Sequence, residues 1–159
     1  MKKKLLSYIL LVIVVFSFVT TVFNVKYVRD NYIKEKVEEL KRNAKTISIV
    51  LDNNIEKDEF INEIGNCFIN NQIRITLVDN QGNVIYDTNK NSEEMFNHAN
   101  RPEVQEAYSG NIGIETRFSN TLKKEMLYVA YPLDDKKNDI KIVRLSIPIN
   151  TINYFSASA

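Results

Sequence analysis

Histidine and cysteine occur once each in this chain of 159 residues, tryptophan is missing, and there are only four glycines and three prolines. Each scarcity excludes something. With Cys67 alone no internal disulfide can form, so the folded part must be held by ordinary hydrophobic packing. Cys67 stands beside Phe68 and Ile69, which suits buried filler, and pairing between chains is the other role open to it. With His98 alone there is no credible Ser/His/Asp set and no histidine pair for a metal. The acidic pairs Glu93-Glu94 and Asp134-Asp135 lack ligand spacing, so no metal site is expected. Gly65, Gly82, Gly110 and Gly113 make no phosphate-cradling loop. No cofactor is expected, and this chain is not expected to be an enzyme.

An excess of charge is lacking too. All 20 acidic residues lie beyond Val25, against 18 of the 21 basic ones, which leaves that part near −2. Nucleic acid would call for clustered Lys and Arg, so it is not an expected partner.

What is present is a run of nineteen uncharged residues, Leu5 to Phe23, preceded by Lys2, Lys3 and Lys4. At about 1.5 Å per residue such a helix just spans a hydrocarbon core of roughly 30 Å. The lysines favour a cytoplasmic N-terminus, which puts the residues from about 26 onward outside the membrane. A cleaved signal peptide shares the basic start. This run exceeds the usual roughly 7–15 apolar residues of one, and no Ala-x-Ala pair follows, so an uncleaved anchor is the better reading.

From Val25 the chain reads as a long helix without Gly or Pro, carrying Ile33, Val37, Leu40, Ala44, Ile47 and Leu51 at alternating spacings of four and three. This seam suits packing on the chain's own domain, and a homodimer contact near the membrane is expected in addition. Asp52 to Asn54 break the helix, and Asn53 with Glu56 has the form of a capping box opening a second one, with Phe60, Ile61, Ile64 and Phe68 on its apolar face. The period then becomes twofold. Ile73, Ile75 and Leu77 mark a first strand, Asp79 to Asn83 a turn, and Val84 to Asp87 a second strand. Pro102, Glu103 and Glu106, with Gly110 at the exit, mark a short helix. Three β-rich stretches follow, Ile112 to Ser119, Glu125 to Leu133 and Ile140 to Ile149, with Val143, Leu145, Ile147 and Ile149 on one face. The order predicts an α+β domain of PAS-like shape, a five-stranded antiparallel sheet with helices on one face.

Four stretches carry a resemblance: Ile75 to Asp87, His98-Ala99-Asn100-Arg101-Pro102-Glu103-Val104 with Ala107, Met126 to Pro132, and Val143 to Pro148. In order and spacing they resemble the extracytoplasmic sensor domain of phosphate-regulon-type (PhoR-like) sensor histidine kinases. The resemblance covers roughly Ile73 to Ile149 and is most specific in His-x-x-Arg-Pro-Glu. It implies a single-Cache or PAS-like fold between two transmembrane helices, coupled to a cytoplasmic dimerisation helix pair and kinase. This chain departs from that pattern by carrying no kinase core, and Thr151 to Ala159 is too short to span a bilayer. It is therefore expected to be the N-terminal sensor portion of such a gene. Its expected parts are a cytoplasmic basic start (1–4), a transmembrane helix (5–25), an extracytoplasmic sensor domain (26–150) and the start of a C-terminal connection (151–159).

His98 to Pro102 looks superficially like a phosphoacceptor box, yet a phosphoacceptor must meet ATP in the cytoplasm, and Pro102 disfavours helix at the residue before it. The resemblance places His98, Arg101, Pro102 and Glu103 on the short helix and its entry loop, as a structural latch or a sensing element. Arg117, Lys124 and Tyr128 are the candidate ligand-binding residues, and an anion is the natural ligand because arginine grips carboxylate or phosphate with paired hydrogen bonds. The expected function is a membrane-anchored sensory module passing an external cue inward, with the bilayer and a small ligand or membrane protein as partners. A chemoreceptor ectodomain or a stand-alone binding module is the alternative. A pilin-like protein fits poorly, since no Gly precedes Gly65 and no Glu precedes Glu35.

Overall fold

In a computed structural model, residues 2–52, 73–119, 122–133 and 139–149 are described. The second expected helix, its capping box, Cys67 and the connection beyond Ile149 lie outside them. Two compact units divide the chain between Lys34 and Glu35.

Helix α1 runs from Lys2 to Asp52, 51 residues with neither a glycine nor a proline to interrupt the ladder. In its first part Leu5 to Phe23 is exposed, and the helix is long and apolar enough to cross a membrane. Three polar side chains toward the end of that part bond to the helix's own carbonyls. Thr20 and Thr21 donate to the Ser17 oxygen at 2.9 and 2.8 Å, and the Asn24 amide donates to the Thr20 oxygen at 2.9 Å. These three side chains therefore place little polar demand on surrounding lipid.

Within the second unit α1 changes character. Val37, Leu40, Ala44, Ile47 and Leu51 are buried, which is the seam read from the sequence, while Lys36–Glu39 and Lys41–Glu38 pair on the outer side at 2.6 and 2.9 Å. Such pairs add only a few tenths of a kcal/mol each, so burial of the apolar seam dominates.

The sheet has five antiparallel strands: β1 Arg74–Asp79, β2 Val84–Asp87, β3 Gly113–Ser119, β4 Lys124–Pro132 and β5 Ile140–Pro148. Their spatial order is β2-β1-β5-β4-β3, so the first and last strands pair at the centre. Ile75 and Leu77 lie opposite Leu145 and Val143, and Leu127 and Val129 opposite Ile147 and Leu145. All seven are buried, giving one face an apolar centre. The other face is mixed. Toward one end Val78, Ala130 and Ile142 form a cluster with Val104 and Ala107 of the short helix α2, Pro102–Tyr108. Farther along the same face stand Thr76, Tyr128, Arg144 and Ser146, all buried. A sheet face with apolar packing at one end and buried polar groups at the other is the setting of the candidate site.

Two glycines fix the loops around it. Gly82, at φ +88°, closes the β1–β2 turn, where Asp79 Oδ1 accepts from the main-chain nitrogens of Gln81 and Asn83, both at 2.8 Å. A Cβ on Gly82 would meet Ala99 at 2.5 Å and Asn97 Oδ1 at 2.6 Å, so the turn needs glycine for both conformation and space. Gly113 lets β3 lie directly against the main chain of Glu103.

Candidate functional site

Pro102 sets the φ of the first turn of α2, and Val104 and Ala107 anchor that helix in the apolar cluster. Glu103 is thereby turned into the sheet, where its carboxylate is fully buried. A buried carboxylate demands partners. Arg117 of β3 supplies two, with Nη1 donating to Oε2 at 2.7 Å and Nη2 to Oε1 at 3.1 Å, and Arg144 of β5 donates through Nε to Oε1 at 2.9 Å. Both arginines pack on the Tyr128 ring, their guanidinium carbons standing 4.1 and 4.3 Å from its centre. Cation–π attraction holds both guanidiniums against the ring, and one carboxylate bridges them.

The electrostatics follow from this geometry. Burial alone would raise the Glu103 pKa, but the hydrogen bond from Arg117 and the Arg144 charge outweigh it and hold the carboxyl below its ordinary value. Burial depresses the Arg144 pKa, opposed mainly by Glu103. Two cations share one anion. The terminal nitrogens of Arg144 have no acceptor among the described residues, although its side chain is only 4% exposed.

A second ion pair borders the first. Arg74 Nε donates to both oxygens of Asp87, at 3.0 and 2.9 Å, and the same carboxylate accepts from Thr76 Oγ1 at 2.7 Å and from the main-chain nitrogens of Asn89 and Lys90 at 2.9 and 3.1 Å. Asp87 thus ties the loop after β2 to the sheet.

The segment before α2 closes over this surface. Asn97 Nδ2 donates to the Gln81 carbonyl at 2.9 Å and to Asn83 Oδ1 at 3.0 Å, and the His98 main-chain nitrogen donates to the Gly82 carbonyl at 2.7 Å. The His98 ring is buried, and its Nδ1 is the single buried side-chain polar atom without a hydrogen-bond partner among the described residues. Burial first, then the positive charges of Arg144, Arg101 and Arg74, push its pKa down to about 4. The imidazole is therefore neutral at physiological pH.

Between this segment and the sheet lies a cavity of about 390 Å³ whose charged lining is Arg74, Lys90, Glu94, Arg101, Arg117 and Arg144, with His98, Tyr128 and the exposed Phe96 also on its wall. Of the residues singled out in the sequence, Arg117, Tyr128, His98 and Arg101 come together here. Glu103 sits behind the wall on Arg117 and Arg144, and Pro102 only starts the helix. Lys124 lies elsewhere, in a separate cavity of about 260 Å³ with Ile73, Met126 and Pro148. Arg74, with buried Asp87, borders both cavities, but Arg117 and Arg144 with Glu103 behind them border only the first, which makes it the better candidate for specific chemistry. The Arg101 side chain makes no capping hydrogen bond, and the latch contacts come from Asn97 and the His98 main chain. Sequence reasoning did not single out Arg144, Arg74 or Lys90. Arg144 carried a signal, a lone charge within the apolar run Ile142 to Ile147.

The chain matches the single Cache-like family model over residues 30–148 and belongs to that family. Among solved structures it is similar to the ligand-binding domain of the Campylobacter jejuni chemoreceptor Tlp3, determined in complex with 4-methylisoleucine, with a TM-score of 0.55 at 15% identity. That alignment covers 78% of this chain and 55% of the other. It is also similar to the V. cholerae histidine kinase DctB sensor domain, with a TM-score of 0.45 and 20% identity over 71% of this chain and 42% of that one. This chain thus spans about half the length of those two proteins or less. No curated protein matches it in sequence. A Cache sensor domain following an apolar helix long enough to cross a membrane is the class that the fold and the family define.

Proposed function

We propose that the chain is a membrane-anchored extracytoplasmic sensory module of a two-component sensor histidine kinase, which binds a small ligand in the cavity beside Glu103 and passes the event through α1. The observation that carries this reading is continuity: α1 runs unbroken from the apolar segment to Leu51, whose burial ties it into the family-matched unit. A rigid element entering the sensor from the membrane can convert a change in packing into a small helix displacement. Lys2, Lys3 and Lys4 favour a cytoplasmic N-terminus, with residues from about 26 outside the cell and 5–25 in the bilayer. A homodimer near the membrane is part of this reading, because displacements of paired helices are what a kinase dimer reads. A kinase parent of phosphate-regulon type rests on the residue resemblance at Ile75 to Asp87, His98 to Val104, Met126 to Pro132 and Val143 to Pro148.

Reading the native gene beyond codon 159 tests this output. A second apolar run of about 20 residues followed by a dimerisation and ATP-binding module is the expected result. A methyl-accepting helical hairpin in that place would favour the chemoreceptor reading, and an intact stop codon directly after the sensor would favour a stand-alone binding module.

A further inference from the structure

Counting charges around the cavity identifies the class of molecule it is built for. Arg117 and Arg144 share Glu103 and retain one positive charge between them, and Arg74 is neutralised by Asp87. Lys90 and Arg101 have no acidic partner among the described residues, and Glu94 offsets one of them. The lining is left with two uncompensated positive charges. Donors without acceptors face the same space, because Arg144 uses only Nε on Glu103. Beside it stands the unpartnered Nδ1 of His98, a side chain only 6% exposed. The Arg144 terminal nitrogens are thus open to the cavity, and a buried imidazole nitrogen left unsatisfied on the same wall costs stability unless something arrives to bond it.

We propose that this cavity is a receptor site for a small oxyanion carrying two negative charges, a dicarboxylate or a phosphate, held by the free Arg144 terminal nitrogens and His98 at the back and by Arg101 and Lys90 at the rim. This names the ligand class for the sensory reading above and rests on it. The volume is near the lower end of small-molecule sites, so the ligand is compact. Arg117 gives one hydrogen bond from each terminal nitrogen to Glu103, and its main role is to hold Glu103 and Tyr128 in place. A neutral His98 is consistent with the role, because one ring nitrogen can donate to the anion without adding charge to the empty site.

The test uses the full chain in lipid nanodiscs, with thermal shift and calorimetric titration of malonate, succinate, glutarate and inorganic phosphate against leucine and sodium chloride at matched ionic strength. At least one dianion is expected to bind saturably, and which of them does separates the carboxylate source from phosphate. Because Arg144→Ala would strip a partner from buried Glu103 and risks misfolding, the discriminating variants lie at the exposed rim. Lys90→Gln and Arg101→Gln are each expected to weaken binding about tenfold, the equivalent of about 1.4 kcal/mol, while Lys124→Gln in the other cavity leaves it unchanged. No binding by any dianion, or an equal shift in the rim variants and the parent, overturns the proposal. Saturable binding of leucine lost in the rim variants would overturn the anion assignment while leaving the sensory reading intact. A downstream gene lacking any signalling module would do the reverse.

Discussion

Gly113 lies so close to Glu103 that a Cβ at position 113 would overlap the Glu103 carbonyl group. Strand β3 and helix α2 can therefore meet only if residue 113 has no side chain, and that meeting places the Glu103 carboxylate between Arg117 and Arg144. Gly113→Ala must push β3 and α2 apart. The expected loss is about 1–3 kcal/mol, the usual cost of overpacking, measured by chemical denaturation. An unchanged midpoint would show that the contact is slack.

Removing the bridging charge is a sharper perturbation. In Glu103→Gln the guanidinium of Arg144 stays buried without its counter-ion, and breaking a buried pair in this way costs about 3–5 kcal/mol. Combining it with Arg144→Met should recover part of that loss, since the stranded charge is gone. A double variant no more stable than Glu103→Gln would mean that the ion pair is not what the carboxylate stabilises.

Leu145 tests the apolar face. It is fully buried at the centre of β5, opposite Ile75 on one side and Val129 on the other. Leu145→Asp places a carboxylate there without a partner, at several kcal/mol against a total stability of about 5–15. Loss of the cooperative thermal transition is expected, and a parent-like melt would contradict the assigned strand face.

Acid should act on His98 before it acts on the carboxylates. The His98 pKa lies near 4 in the folded chain against 6.5 for an unperturbed imidazole, so the unfolded state binds the extra proton between those values. Stability therefore falls as pH drops from 6.5 toward 4, by up to about 1.4 kcal/mol per pH unit, and this contribution levels off below 4. Glu103 gives a later limb, fully stabilising above the ordinary carboxylate pKa and lost as pH falls through its lowered value. His98→Asn should flatten the first limb and keep the second. Unchanged curvature between pH 4 and 6.5 in that variant would assign the limb to another group.

The sequence carried the elements better than the site. Twofold alternation marked β5, and the four residues assigned to one face, Val143, Leu145, Ile147 and Ile149, are all buried. The helical seam from Val37 to Leu51 was legible because alternating spacings of four and three keep one helix face apolar. The pairing of β1 with β5 was not, since nothing local encodes a partner more than 60 residues away. Arg144 was hidden for a related reason. Both faces of β5 are buried, so its neighbours are apolar on either side, and its partner Glu103 lies 41 residues away on another element. Glu103 itself reads equally well as an ordinary first-turn acid of α2. Only the fold shows that it points into the sheet.

The most direct test of the central claim, a sensor unit held outside the membrane by α1, is thiol labelling in intact cells. In a Cys67→Ser background, a cysteine replacing exposed Asn111 in the loop before β3 and another replacing Lys4 are compared using a membrane-impermeant maleimide. Asn111→Cys is expected to be labelled in intact cells and Lys4→Cys only after lysis. Labelling of Asn111→Cys only after lysis would contradict it.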